Sequence, residues 1–181
     1  MVLLVFSHTP LDKIKGETEQ VISDNKTLGL DLVGIGGYYG YKNGVTTIID
    51  EFKDAVAKIK ANGMRLTYHN HDHEFVKVNG KVILEHVSEF FGPDEMAFTL
   101  DTFWVQSGGA DPVMWLNKLK GRTPCIHLKD MIFTAEKQRK MAVVGEGNMN
   151  FDAILKTAVD NGVNMHLLSR MSATEKIRLI A

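Results

Sequence analysis

With 181 residues, 44% of them hydrophobic and 24% charged, the chain has the length and composition of one globular domain with a sizeable core. A formal net charge of -1 supplies no long-range field to draw nucleic acid or an anionic membrane, so neither is expected as a partner. The single cysteine, Cys125, excludes a disulfide framework within the chain and makes a reducing cytoplasm the expected location.

The chain starts MVLLVFSHTP, without a basic segment or a small-residue cleavage site, and its apolar stretch is too short to cross a membrane. Val2–Phe6 reads as a strand. Further apolar runs follow at Leu32–Ile35, Arg65–His69, Ala97–Asp101, Cys125–Leu128 and Val163–Leu168. Between them lie stretches with helical periodicity. In Thr46–Lys60, Ile48, Ile49, Phe52, Val56 and Ile59 fall on one face, and Asn62-Gly63 stops the helix. Asp111-Pro112 opens another helix, with Asp as N-cap and Pro at the first helical position. Phe151–Val159 is a third, ended by Asn161-Gly162. The nine methionines read as core filler, and Lys137, Arg139 and Lys140 as a solvated loop.

Strands alternating with helices imply a parallel sheet covered on both faces. Six strands suit an open doubly wound sheet by count, since a closed (β/α) barrel needs eight strands and about 250 residues. The polar residues decide for the barrel. The first strand ends Ser7-His8 and the third runs into Tyr68-His69-Asn70-His71-Asp72-His73-Glu74-Phe75. The fourth ends Leu100-Asp101-Thr102-Phe103-Trp104 and the fifth Ile126-His127-Leu128-Lys129-Asp130. In a parallel barrel these C-terminal strand ends share one face, where barrel active sites lie. A carboxylate and imidazoles meeting there suit a divalent cation. Because side chains alternate along a strand, His69 and His71 point one way and Asn70 the other. The expected fold is therefore α/β, an incomplete parallel (β/α) barrel of the TIM type with six of eight strands.

The segment Tyr68–Phe75 resembles the YHNHDFEF stretch of the sugar phosphate isomerase/epimerase family, whose members are xylose isomerase-like barrels. The resemblance continues through Leu100–Pro112, His127–Met131 and Val144–Asn148, and spans Val2 to Leu167. It implies a metal held by a Glu on strand five, an Asp on strand six, a His on strand seven and a Glu on strand eight. Asp101 and His127 match the second and third positions. His69 stands at the first, with His71 or Glu74 as alternatives, and Glu74 and Lys129 are the catalytic candidates. His8, His71 and Trp104 would contact substrate. The chemistry implied is proton abstraction next to a carbonyl of a sugar, sugar phosphate or inositol-derived ketone. A divalent metal (Mn, Co, Zn or Mg) would polarise that carbonyl.

Aligned this way, Val2–Phe6 resembles the family's third strand, which makes residues 1–168 a partial barrel domain. Relatives end strand eight in EQDECYGEDPFDC, whereas this chain reads Leu168-Ser169-Arg170 and onward to Ala181. A synonymous-codon back-translation of that tail, read from its third nucleotide, restores the family ending. Residues 169–181 are thus expected to be an aberrant tail created by a one-nucleotide shift. A barrel short of two strands keeps edges open to other chains, a homo-oligomer among them. With one metal ligand missing as well, this chain by itself is expected to turn over negligibly. Two other readings compete: a non-catalytic remnant binding a small molecule or another chain, and a relative of endonuclease IV. Seven histidines in all, a net charge of -1 and Trp104 in place of an extra ligand argue against the latter.

Overall fold

A computed structural model describes residues 7–36, 45–163 and 165–168. Six strands form one parallel sheet: β1 (Ser7–His8), β2 (Leu32–Gly36), β3 (Arg65–His69), β6 (Met96–Asp101), β7 (Cys125–Leu128) and β10 (Met165–Leu168), neighbours in that order. The sheet confirms the expected α/β barrel architecture, with six parallel strands joined in sequence order. The strand expected at Val2–Phe6 and the tail 169–181 lie outside the described residues.

Seven α-helices are described: α1 (Leu11–Gly16), α2 (Thr18–Thr27), α3 (Val45–Ala61), α4 (Ile83–Phe90), α5 (Thr102–Ser107), α6 (Pro112–Lys118) and α7 (Phe151–Asp160). The periodicity of α3 buries Phe52, Val56 and Ile59 against the sheet. Its expected stop at Gly63 and that of α7 at Gly162 both adopt positive φ, 75° and 79°. Asp111 caps α6 as its spacing predicts, accepting from the backbone N–H groups of Val113 and Met114.

Pairing in register sorts the side chains onto two faces. Tyr68 pairs with Phe98, and Leu100 with Ile126. This face meets the helices: the Phe52 ring of α3 stands edge-on to Tyr68 at 6.1 Å. The opposite face carries Thr67, His69, Thr99, Asp101 and His127, and the hydroxyls of Thr67 and Thr99 are 3.0 Å apart. All six residues of β6 are buried, as a strand covered on both faces requires.

Two antiparallel hairpins absent from the sequence reading interrupt the alternation: β4 (Lys77–Val78) with β5 (Lys81–Val82), and β8 (Asp130–Phe133) with β9 (Arg139–Ala142). The residues read as one solvated loop therefore divide. Lys137 sits in the turn at φ 61°, while Arg139 and Lys140, still exposed, belong to β9. The second hairpin is tied to the loop behind it by Asp130. This fully buried carboxylate accepts from the backbone N–H groups of Gly145, Gly147 and Met149 at 2.9, 2.9 and 3.3 Å. The loop approaches so closely that a Cβ at Gly147 would lie 2.4 Å from Asp130 Oδ1 and 2.5 Å from the Met131 carbonyl oxygen. Gly147→Ala is expected to destabilise the fold by about 1–3 kcal/mol through overpacking, measured as a lowered urea midpoint at unchanged m-value.

Candidate metal centre at the strand ends

The C-terminal ends of β3, β6 and β7 bring His69, Asp101 and His127 together. Asp101 and His127 are register partners on neighbouring strands, and His69 lies one strand further on the same face. Asp101 Oδ2 is 3.1 Å from His69 Nε2 and 3.1 Å from His127 Nδ1. The two histidine rings are tilted to one another with centroids 5.1 Å apart. One donor atom from each of the three residues lies within 4.8 Å of the others, a spacing that one ion can span.

Asp101 joins these groups to the rest of the site. Its Oδ2 also accepts from Lys129 Nζ at 2.8 Å, and its Oδ1 caps α5 by accepting from the Trp104 backbone N–H at 3.2 Å. Burial alone would raise the Asp101 pKa. The hydrogen bonds from His127, His69 and Lys129 outweigh burial and hold the carboxyl well below the usual carboxylate range. It is therefore ionised at neutral pH, the form a metal requires. Lys129 Nζ stands 5.8 Å from the centre of the Trp104 ring, so this lysine and tryptophan form one wall beside the cluster.

His8 at the end of β1 presents its ring edge-on to His69, 6.2 Å away. Its pKa is lowered, first by burial and then by the neighbouring His69 and His127. His71 continues the row, 5.1 Å from His69 and 5.4 Å from Trp104 by ring centroids. Burial is the leading cause of its lowered pKa as well, with His69 the next.

Glu74 is not brought into this cluster. It lies in the one-turn 3-10 helix His73–Phe75, fully buried. Its Oε1 accepts from the Tyr68 hydroxyl at 2.6 Å and is 3.0 Å from His73 Nε2, and its Oε2 accepts from the His71 backbone N–H at 2.8 Å. Tyr68 belongs to the helix-facing side of β3, and that contact draws Glu74 away from the face of His69. Burial would raise the Glu74 pKa, but the bonds from His73, Tyr68 and the His71 N–H bring it below the usual value.

Two residues that sequence reasoning left without a role hold the strand ends in place. Asn70, 1% exposed, turns away from His69 as alternation requires, and its Oδ1 accepts from the Asp101 backbone N–H at 3.0 Å. The Thr102 hydroxyl donates to the Lys129 carbonyl at 2.7 Å and accepts from the Lys129 N–H at 3.0 Å, clamping β6 to the end of β7. The signal for both was position: each directly follows a candidate ligand at a strand end.

A parallel barrel sheet with a carboxylate and imidazoles on its C-terminal rim defines the class of protein. The chain belongs to the xylose isomerase-like TIM barrel family, whose model matches residues 14–176. No curated protein matches it in sequence. Among solved structures it is similar to a sugar phosphate isomerase/epimerase from Parabacteroides distasonis, at 23% identity and TM-score 0.76, over 96% of this chain and 65% of that one. It is also similar to a probable 3-DHS dehydratase, AsbF, from Bacillus anthracis: 16% identity, TM-score 0.68, 95% and 69% of the two chains. An IOLI protein with a bound zinc atom matches at 15% identity and TM-score 0.63, over 84% of this chain and 58% of that one. The chain thus spans about 65% of the length of the first of these structures. Among the described residues no helix is long and apolar enough to cross a membrane.

Asn70→Ala leaves the buried Asp101 N–H unsatisfied and is expected to cost about 1–3 kcal/mol, read from urea unfolding. The pH dependence follows from the two buried carboxyls with lowered pKa values, Asp101 and Glu74. Their folded-state pKa values lie below the unfolded ones, so their stabilisation is complete above pH ~5 and lost as pH falls through the folded values. Stability measured from pH 6 to 3 should fall, and fall less steeply in Glu74→Gln.

Proposed function

We propose that the barrel rim binds one divalent cation through His69, Asp101 and His127. In this reading the protein is a metal-dependent isomerase, epimerase or related dehydratase acting on a sugar-like ketone. The observation that carries this is the convergence of one ionised carboxylate and two imidazoles from three consecutive strands of the sheet. The donor set fits: nitrogen and carboxylate ligands suit Mn²⁺, Co²⁺ or Zn²⁺. The 3.1 Å separations already bring the donors to a common point. The kinds of reaction named for similar structures, sugar phosphate isomerisation or epimerisation and dehydration, support the same class.

When bound, the metal would supply a Lewis acid to polarise a substrate carbonyl. The chain's own residues would do the rest. His8 beside His69 and Trp104 beside Lys129 would contact a small polar ring or chain, with His71 next to Trp104 as a third contact. Lys129 Nζ lies 2.8 Å from Asp101 Oδ2, so its ammonium would donate a hydrogen bond to a substrate oxygen beside the cluster. Glu74 enters this proposal as the carboxylate that fixes the His71–His73 turn, because both its oxygens are engaged away from the cluster. These groups lie at the strand-end rim, the face on which barrel active sites sit.

A divalent cation that binds only the folded state raises its stability, by about 2.7 kcal/mol at one hundred times the Kd. Thermal melts with Co²⁺ or Mn²⁺ should therefore show a clear upward shift that EDTA reverses. The shift should shrink in Asp101→Asn and His127→Ala. In D₂O, metal-dependent exchange of the proton next to the carbonyl of a keto-sugar or inosose, followed by NMR, reads the chemical step. Melting temperatures indifferent to metal in the native chain would sink the proposal.

A further inference from the structure

Next to the His69–Asp101–His127 cluster stands a second group of donors, and we infer that His71, His73 and Glu74 form a separate divalent-cation site. One donor atom from each of these residues lies within 4.8 Å of the others. The inference goes beyond the single-ion reading above and shares no ligand with it. It does change the part given to His71, from substrate contact to ligand.

The first argument is preorganisation. All three donors come from four consecutive positions held by contacts that owe nothing to a metal. The Glu74 carboxylate is fixed by the Tyr68 hydroxyl at 2.6 Å and the His71 N–H at 2.8 Å, the kind of outer support that metal-binding carboxylates carry. His71 and His73 lie nearly parallel, their planes 13° apart and centroids 5.5 Å apart. The turn that carries them is clamped to α5, since the Ser107 hydroxyl donates to Asp72 Oδ2 at 3.0 Å. Phe75, at its end, is pressed onto Gly108 so tightly that a Cβ there would lie 2.6 Å from the Phe75 ring. The same ring meets Trp115 edge-on at 5.5 Å.

The second argument is charge. Glu74 is fully buried, and among the described residues no Lys or Arg forms an ion pair with it. Its charged-group partner is the His73 imidazole, 3.0 Å away. Asp101, by contrast, has Lys129 at 2.8 Å. A buried carboxylate needs a compensating charge, and a cation held jointly by Glu74 and the two imidazoles supplies it where no ammonium or guanidinium does. The donor set, two nitrogens and one carboxylate oxygen, matches that of the first cluster, so the two sites would take the same kind of ion. With His69 and His71 rings 5.1 Å apart, the two centres adjoin.

The test is metal stoichiometry on the full 181-residue chain. Metal-free protein is dialysed against Co²⁺ and assayed by elemental analysis, and Co²⁺-loaded crystals are examined by anomalous diffraction. The expected result is about two equivalents per chain, falling to about one in His73→Ala, in the milder His73→Gln, and separately in His127→Ala. An anomalous peak among His71, His73 and Glu74 in the unmutated protein reports the site even if the variants fold poorly. One equivalent that survives both His73 variants and is lost in His127→Ala overturns this inference and leaves the single-ion reading standing. One equivalent lost in the His73 variants but kept in His127→Ala upholds it and removes the other reading. No bound ion in the native chain removes both.

Discussion

The site depends on the charge of Asp101. Its carboxylate sits fully buried at the end of a strand whose every residue is inaccessible, a position where an unpaired charge would be strongly unfavourable. Four donors remove that cost: His69, His127, Lys129 and the backbone N–H of Trp104. Because they come from β3, β7, the residue after β7 and the first turn of α5, neutralising one charge sets the relative positions of four segments. Strand register brings the groups near one another, and the carboxylate fixes their final geometry.

The supporting residues follow the same logic one layer out. Asn70 satisfies the backbone of Asp101, and Thr102 joins the end of β6 to Lys129 by both donating and accepting. Asp130 does for the loop after β9 what Asp101 does for the strand ends, gathering backbone N–H groups around one buried carboxylate. Glu74 does so for the 70–75 turn. Three buried carboxylates thus organise three adjoining parts of the rim, each balanced by different partners: an ammonium and imidazoles, backbone amides alone, or a phenol, an amide and an imidazole.

Much of this was legible in the chain. The apolar runs gave five of the described strands to within two residues, because a strand buried on both faces carries an uninterrupted apolar signature. Helix ends were readable at Gly63, Gly162 and Asp111, where the backbone conformation or the cap demands a particular residue. The grouping of His69, Asp101 and His127 was expected from their common place at strand ends. The short hairpins were not legible: β4 and β5 have two residues each, too few for a period to show, and the basic run at Arg139 and Lys140 masks the strand β9. Glu74 followed its neighbours in sequence into the expected site but not in space. A single turn after the strand carried it to the Tyr68 side, and no one-dimensional pattern records that.

By itself the sequence determined the alternation of strand and helix and the rim on which the polar residues gather, since both follow from local period and from the fixed direction of parallel strands. Only the tertiary structure decided which of the clustered side chains share a centre. That choice rests on register between strands distant in sequence and on which buried carboxylate each imidazole can reach. Those distances arise only once the sheet is assembled.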